Sequence, residues 1–96
     1  MRAVLSQEAE RDLEEIWRYT RRHWGVEKAM RYTGMIETAA ERLATNPHLG
    51  SSCHEIAPDY RKLAADMHTP YYRIMGEEIT IIRILDQRMD APEQLQ

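Results

Sequence analysis

The chain has 96 residues, 30% charged and 43% hydrophobic, with a formal net charge of −3, which suits one folded domain with a single modest core. No apolar run approaches the ~20 residues needed to span a bilayer, and the apolar part of the N-terminus is too short for a signal peptide. One cysteine, Cys53, excludes an internal disulfide and suits a cytoplasmic protein, while residues 51–96 hold five Lys/Arg against eight Asp/Glu, a balance that weighs against gripping nucleic-acid phosphates.

In chain order, Ala3-Val4-Leu5 reads as a short first strand. Ser6 then reads as a helix N-cap, with Glu8 and Glu10 in the first turn, where they meet the positive end of the helix dipole. Leu13, Ile16, Trp17, Thr20 and Trp24 recur at helical spacing, and Gly25 ends the helix. Arg18, Arg21, Arg22 and His23 cluster near that end, where they complement the dipole or offer a site to a phosphate or an acidic partner. A second helix starts near Val26-Glu27, carries Ala29, Tyr32, Ile36, Ala39, Ala40 and Leu43 on one stripe, and stops at Asn46-Pro47. So short a link makes the two helices an antiparallel hairpin.

Pro47–Ser52 reads as a turn-rich connector, Tyr60–Ala64 as a strand and Ala65-Asp66-Met67 as a bend. Pro70 leaves the start of the next strand open, because proline denies a ladder bond; Tyr71–Met75 is the clearer strand. Gly76-Glu77 fits a two-residue type II′ hairpin, pairing Ile74 with Ile79, Tyr72 with Ile81 and Tyr71 with Ile82. The last strand, from Glu78 to Asp86, has four isoleucines in its first eight residues and apolar residues on both faces, so it belongs in the middle of the sheet. Strict alternation puts Tyr72, Ile74, Ile79, Ile81 and Leu85 under the helices. Residues 1–90 form the domain, and Ala91–Gln96 read as a polar, frayed tail.

The chain has no phosphate-cradling glycine loop and no Cys/His metal set, and Cys53 reads as a plain loop thiol; no metal or cofactor is expected. An RNA-cutting reading would draw on Arg61, Lys62, His68, Tyr72, Arg73, Arg83 and Arg88, with Asp86 partly cancelling the field; core and surface roles explain the same residues equally well.

Leu5-Ser6, Asp12-Leu13, Trp24-Gly25, Asn46-Pro47, Leu49-Gly50, Tyr60-Arg61, Tyr72-Arg73, Arg83-Ile84-Leu85 and Arg88-Met89-Asp90, in this order and spacing, resemble the ParE branch of the RelE/ParE toxins of bacterial type II toxin–antitoxin modules. The resemblance implies an α+β fold: a short N-terminal strand and an antiparallel two-helix hairpin packed on a C-terminal antiparallel β-sheet. It also implies a toxin that poisons DNA gyrase rather than an enzyme. A cognate ParD-like antitoxin, of ribbon-helix-helix type, would silence it and would supply the DNA binding. The alternatives are a RelE-like ribosome-dependent mRNA endonuclease and a non-toxic module that still binds antitoxin. Arg61, Tyr72, Arg73, Arg83, Asp86 and Arg88 are the candidate target-binding surface; Trp17, Trp24, Tyr32 and Tyr71 are the candidate antitoxin surface. The chain departs from the family pattern at Thr69-Pro70 and at Asp86, where histidine is common, and both put intact toxicity in question.

Overall fold

The computed structural model describes residues 1–95. Strand β1 (Arg2–Leu5) leads into helices α1 (Gln7–Trp24) and α2 (Val26–Thr45), and then into β2 (Ser51–Ser52), β3 (Arg61–Lys62), β4 (His68–Met75) and β5 (Glu78–Asp86). A short helix, α3 (Ala91–Gln94), follows. The five strands form one sheet in the order β1-β5-β4-β3-β2, antiparallel except that β1 runs parallel to β5. The expected α+β architecture is therefore present, with β5 interior as its two apolar faces require. The two-residue β2 was not expected in the connector.

Local chemistry sets the helix ends. The Ser6 hydroxyl accepts from the Ala9 N–H at 3.0 Å, capping α1. Gly25 alone links the helices, at φ 93° and ψ 170°, a conformation open essentially to glycine. A side chain there would meet nothing within 4 Å, so the backbone angle, not space, demands glycine. Ala39, Ala40, Ile36 and Leu43 of α2 join Ile16 of α1 over Tyr72, Ile79, Ile81 and Ile84 to form the main core.

Two predicted pairs hold, Ile74 with Ile79 and Tyr72 with Ile81 across the Gly76-Glu77 turn, but Tyr71 pairs with Arg83, not Ile82. A β-bulge leaves Ile82 without a partner residue on β4 and reverses the alternation beyond it. Ile84 consequently lies under the helices, and Leu85, expected there, packs on the opposite side with Cys53 and Tyr71. Ala91 and Leu95 pack against that second cluster, with Ile56 and Tyr60. Residues 91–94 are thus a docked helical turn rather than a frayed tail; Gln96 lies outside the described residues. Cys53 is likewise fully buried, and burial raises its thiol pKa.

Pro70 sits inside β4 without breaking it. Its carbonyl accepts from the Leu63 N–H at 3.2 Å, so its ring nitrogen also turns to the β3 side, just where β3 has ended.

Tyr72 ties the connector to the sheet. Its fully buried side chain donates from the hydroxyl to the Pro47 carbonyl at 2.7 Å and accepts from the Gly50 N–H at 3.2 Å. A Cβ on Gly50 would lie 2.7 Å from that hydroxyl and closer still to the Lys62 carbonyl, so this close approach requires glycine. Tyr72→Phe leaves the buried Gly50 N–H unpaired and should cost about 1–3 kcal/mol. Urea unfolding checks this: the midpoint should fall while the slope stays unchanged.

Candidate functional site

Strand β1 ends at Leu5, opposite Ile81, while β5 runs on to Asp86. The exposed length of β5 is closed by the beginning of α1. The Ser6 N–H donates to the Ile81 carbonyl at 2.9 Å, and the Ser6 hydroxyl donates to the Ile82 carbonyl at 2.6 Å. Asp12 then takes the next amide, accepting from the Ile84 N–H at 2.9 Å. The same carboxylate receives Arg83 in a two-pronged pair, Nε at 2.7 Å and Nη2 at 2.9 Å. This hydrogen bond, ahead of the opposing effect of burial, raises the Arg83 pKa above its ordinary value.

A second polar group lies where β4 begins and β5 ends. His68 and Asp86 are partners across the two strands, with Nε2 3.9 Å from Oδ2. The Tyr32 hydroxyl, from α2, lies 2.7 Å from His68 Nδ1 and accepts from the Met67 N–H at 3.2 Å. The hydroxyl has one proton and two lone pairs, so with one lone pair given to Met67 it still pairs with His68 Nδ1 in either direction, according to the tautomer of the ring. Burial lowers the His68 pKa against the pull of nearby Asp86, and burial raises that of Tyr32. Arg88 turns back on Asp86, donating from Nε at 3.0 Å and from its N–H at 2.9 Å, which holds the Asp86 carboxyl at about 2. A cleft of about 230 Å³ joins the two groups, lined by Asp12, Tyr19, Thr20, His68, Asp86 and Arg88 among others.

The sequence-predicted target residues do not converge. Arg83 faces Asp12, and Arg88 faces Asp86. Arg73 pairs with Asp59, Nε to Oδ2 at 2.7 Å, and lies over the Tyr60 ring. Arg61 donates to the Gly50 carbonyl at 2.6 Å. Tyr72 is core, so its place on a contact surface is corrected. Of the antitoxin candidates, Trp17 and Trp24 sit near the hairpin link, Tyr32 is half-buried against His68, and Tyr71 is buried and cannot present a contact face. Among the described residues no group of three or more His, Cys, Asp or Glu could hold a metal ion.

As chemistry, the cleft suits binding and positioning better than proton transfer. A base needs a free lone pair and a pKa near the working pH. His68 has Nδ1 engaged by Tyr32 and Nε2 turned to Asp86, and the Asp86 carboxyl, at about 2, is far too acidic. Asp12 is the residue that periodicity misses as a partner, although it carries a signal: it lies three positions after Ala9 and four before Ile16, so a carboxylate stands in the buried stripe of α1.

Residues 3–91 match the family model described as the ParE toxin of the type II toxin–antitoxin system parDE. The chain is 46% identical over 95 residues to Toxin ParE1 of Mycobacterium tuberculosis, covering 98% of this chain and 97% of that one. It is 36% identical to Toxin ParE1 of Caulobacter vibrioides, covering 95% and 94%, and 34% identical to Toxin ParE of Escherichia coli, covering 96% and 90%. A solved structure described as the chromosomal ParDE toxin–antitoxin system from P. aeruginosa superposes with a TM-score of 0.79 at 25% identity, covering 90% of this chain and 95% of that one.

Asp12→Ala should cost about 3 kcal/mol by urea unfolding, because it strands a half-buried guanidinium and a backbone N–H together. His68 is more easily kept neutral folded than unfolded, so its contribution is complete above 6.5 and is lost as pH falls below that value. Asp86 contributes fully above 3.8 and loses its contribution as pH falls toward about 2. The unfolding midpoint should therefore drop between pH 7 and 5, and His68→Asn, which keeps an acceptor for Tyr32, should flatten that step while leaving the acid limb below pH 4.

Proposed function

The chain belongs to the ParE toxin family of type II toxin–antitoxin systems, and we propose that it acts as a non-catalytic protein inhibitor of DNA gyrase. In this reading it works in the bacterial cytoplasm, stalls replication and growth, and is neutralised by direct binding of a ParD-like, ribbon-helix-helix antitoxin that supplies the DNA contact. The observation that carries the non-catalytic part is the occupancy of the arginines in the sheet half; Lys62 alone of the RNA-cutting set's cations has no carboxylate or carbonyl partner among the described residues. Arg73, Arg83 and Arg88 each face a carboxylate, and Arg61 is bound to backbone carbonyls. A phosphate gripped by Arg83 or Arg88 would first have to displace Asp12 or Asp86, and the histidine beside them, His68, is engaged by Tyr32 and turned to Asp86. The relatives' names and the ParDE structure supply the antitoxin and the toxin class.

Induction of the chain alone in a bacterium should arrest growth with an SOS response and filamentation, and co-expression of the antitoxin should restore growth. Purified chain should inhibit gyrase supercoiling in vitro. Rapid loss of translation with ribosome-bound mRNA cut, and topology normal, would instead establish the endonuclease, and alanine at Arg61, Arg73 and Arg83 would then abolish cutting.

The Asp86–Arg88 clamp supports a second reading, that of a quiet module, because it covers the end of β5 where the family commonly has histidine. Asp86→His frees Arg88. A rise in growth inhibition over the unaltered chain would show that the clamp restrains toxicity; an unchanged phenotype removes position 86 from the question.

A further inference from the structure

The helical hairpin has two electrical halves. Residues 17–31, around the Gly25 link, hold five Lys/Arg and one Glu, a local charge of +4 in a chain of −3, which leaves −7 elsewhere. Arg18 pairs with Glu14. Arg21, Arg22, Lys28 and Arg31 have no carboxylate partner among the described residues. The helix dipole accounts for cations in the last turn of α1 but not for what lies among them. Trp24 is 57% exposed, Tyr19 54% and Met30 63%, with Val26 also exposed, the largest apolar exposures of the hairpin. Arg21 stacks over Trp17 at 5.7 Å and Lys28 over Trp24 at 5.0 Å, so the cations are held beside the rings. Trp17, Arg18, Arg21 and Arg22 line a concavity of about 490 Å³.

Tryptophan, tyrosine, methionine and arginine are the types enriched at protein interfaces and among their energetic anchors. We infer that this hairpin tip is the docking surface for an acidic segment of the antitoxin that carries a large apolar anchor. The inference rests on the toxin–antitoxin reading above and adds to it the surface and the chemistry of the partner. The acidic side chains would meet Arg21, Arg22, Lys28 and Arg31, and the apolar anchor would cover Trp24 and Met30. A nucleic acid fits less well. Val26 and Met30 have nothing to gain from a phosphodiester backbone, and a polyanion running past the tip would meet the −7 remainder of the molecule. A short peptide segment avoids both.

The test uses the full chain and the antitoxin encoded beside it. Arg21→Glu with Arg22→Glu should raise the Kd about 10- to 100-fold and flatten its salt dependence. Trp24→Ala should raise it about 10-fold. Arg42→Glu, the same change in charge at the far end of α2, should leave it unaltered. Both tryptophans of the chain lie in this patch, so acrylamide quenching of their fluorescence reads its coverage directly, with any tryptophan of the antitoxin replaced by phenylalanine. The antitoxin should shield them. Unchanged affinity in both tip variants, with the tryptophans as quenchable in the complex as alone, overturns the inference while leaving the toxin–antitoxin reading intact. So does a 20-base-pair DNA duplex that shields the tryptophans where the antitoxin does not. If the antitoxin fails to bind the unaltered chain, the toxin–antitoxin reading falls, and this inference with it.

Discussion

The carboxylate of Asp12 ties helix α1 to the strand it covers, at the edge of the apolar core that joins the two layers. A strand two times longer than its neighbour leaves amides and carbonyls that must find partners once the helices exclude water from them. Here the first turns of α1 supply those partners: Ser6 for the carbonyls of Ile81 and Ile82, and Asp12 for the amide of Ile84. The helix therefore stands on β5 by hydrogen bonds at its entry and by apolar contact along its length. Arg83 completes the arrangement by neutralising the charge that Asp12 brings into a half-buried place. One ion pair thus serves packing, register and charge together.

The register it holds is an irregular one. The bulge at Ile82 inserts a residue between two regular stretches of pairing, and everything beyond it changes face. Ile84 completes the core beneath the helices, while Leu85 makes a second core with Cys53 and Tyr71 on the other side of the sheet. That second core is what α3 covers. The chain end folds back because the bulge has placed an apolar surface there, not because residues 91–94 favour a helix by themselves.

This separates what was legible in the sequence from what was not. The helices were readable to within a residue, since Ser6, Gly25 and Asn46-Pro47 are local punctuation acting over one or two turns. The Gly76-Glu77 hairpin was readable for the same reason. Period-two reasoning then carried the pattern one residue too far, because the bulge at Ile82 exists only in how β5 pairs with β4. The polar residues show the same limit. Arg61, Tyr72, Arg73, Arg83 and Arg88 were visible as a set, but their partners come from elsewhere in the chain: Gly50, Pro47, Asp59, Asp12 and Asp86. The pairings decide whether a cation is available to a ligand, and composition does not contain them.

Charge shows the opposite error, a sum that conceals a distribution. A net of −3 argues against anionic partners for the molecule as a whole, yet the surface divides into a basic hairpin tip and an acidic remainder. The sheet half has spent its arginines internally, each on a carboxylate or on backbone carbonyls, whereas the tip has kept most of its cations in solvent beside exposed aromatic rings. Paired cations hold a fold together, and unpaired ones remain free to meet something else. Internal pairing at the β5 end and open cations at the hairpin tip therefore divide the molecule into a half whose arginines are spent on its own fold and a half whose cations stay available to a partner.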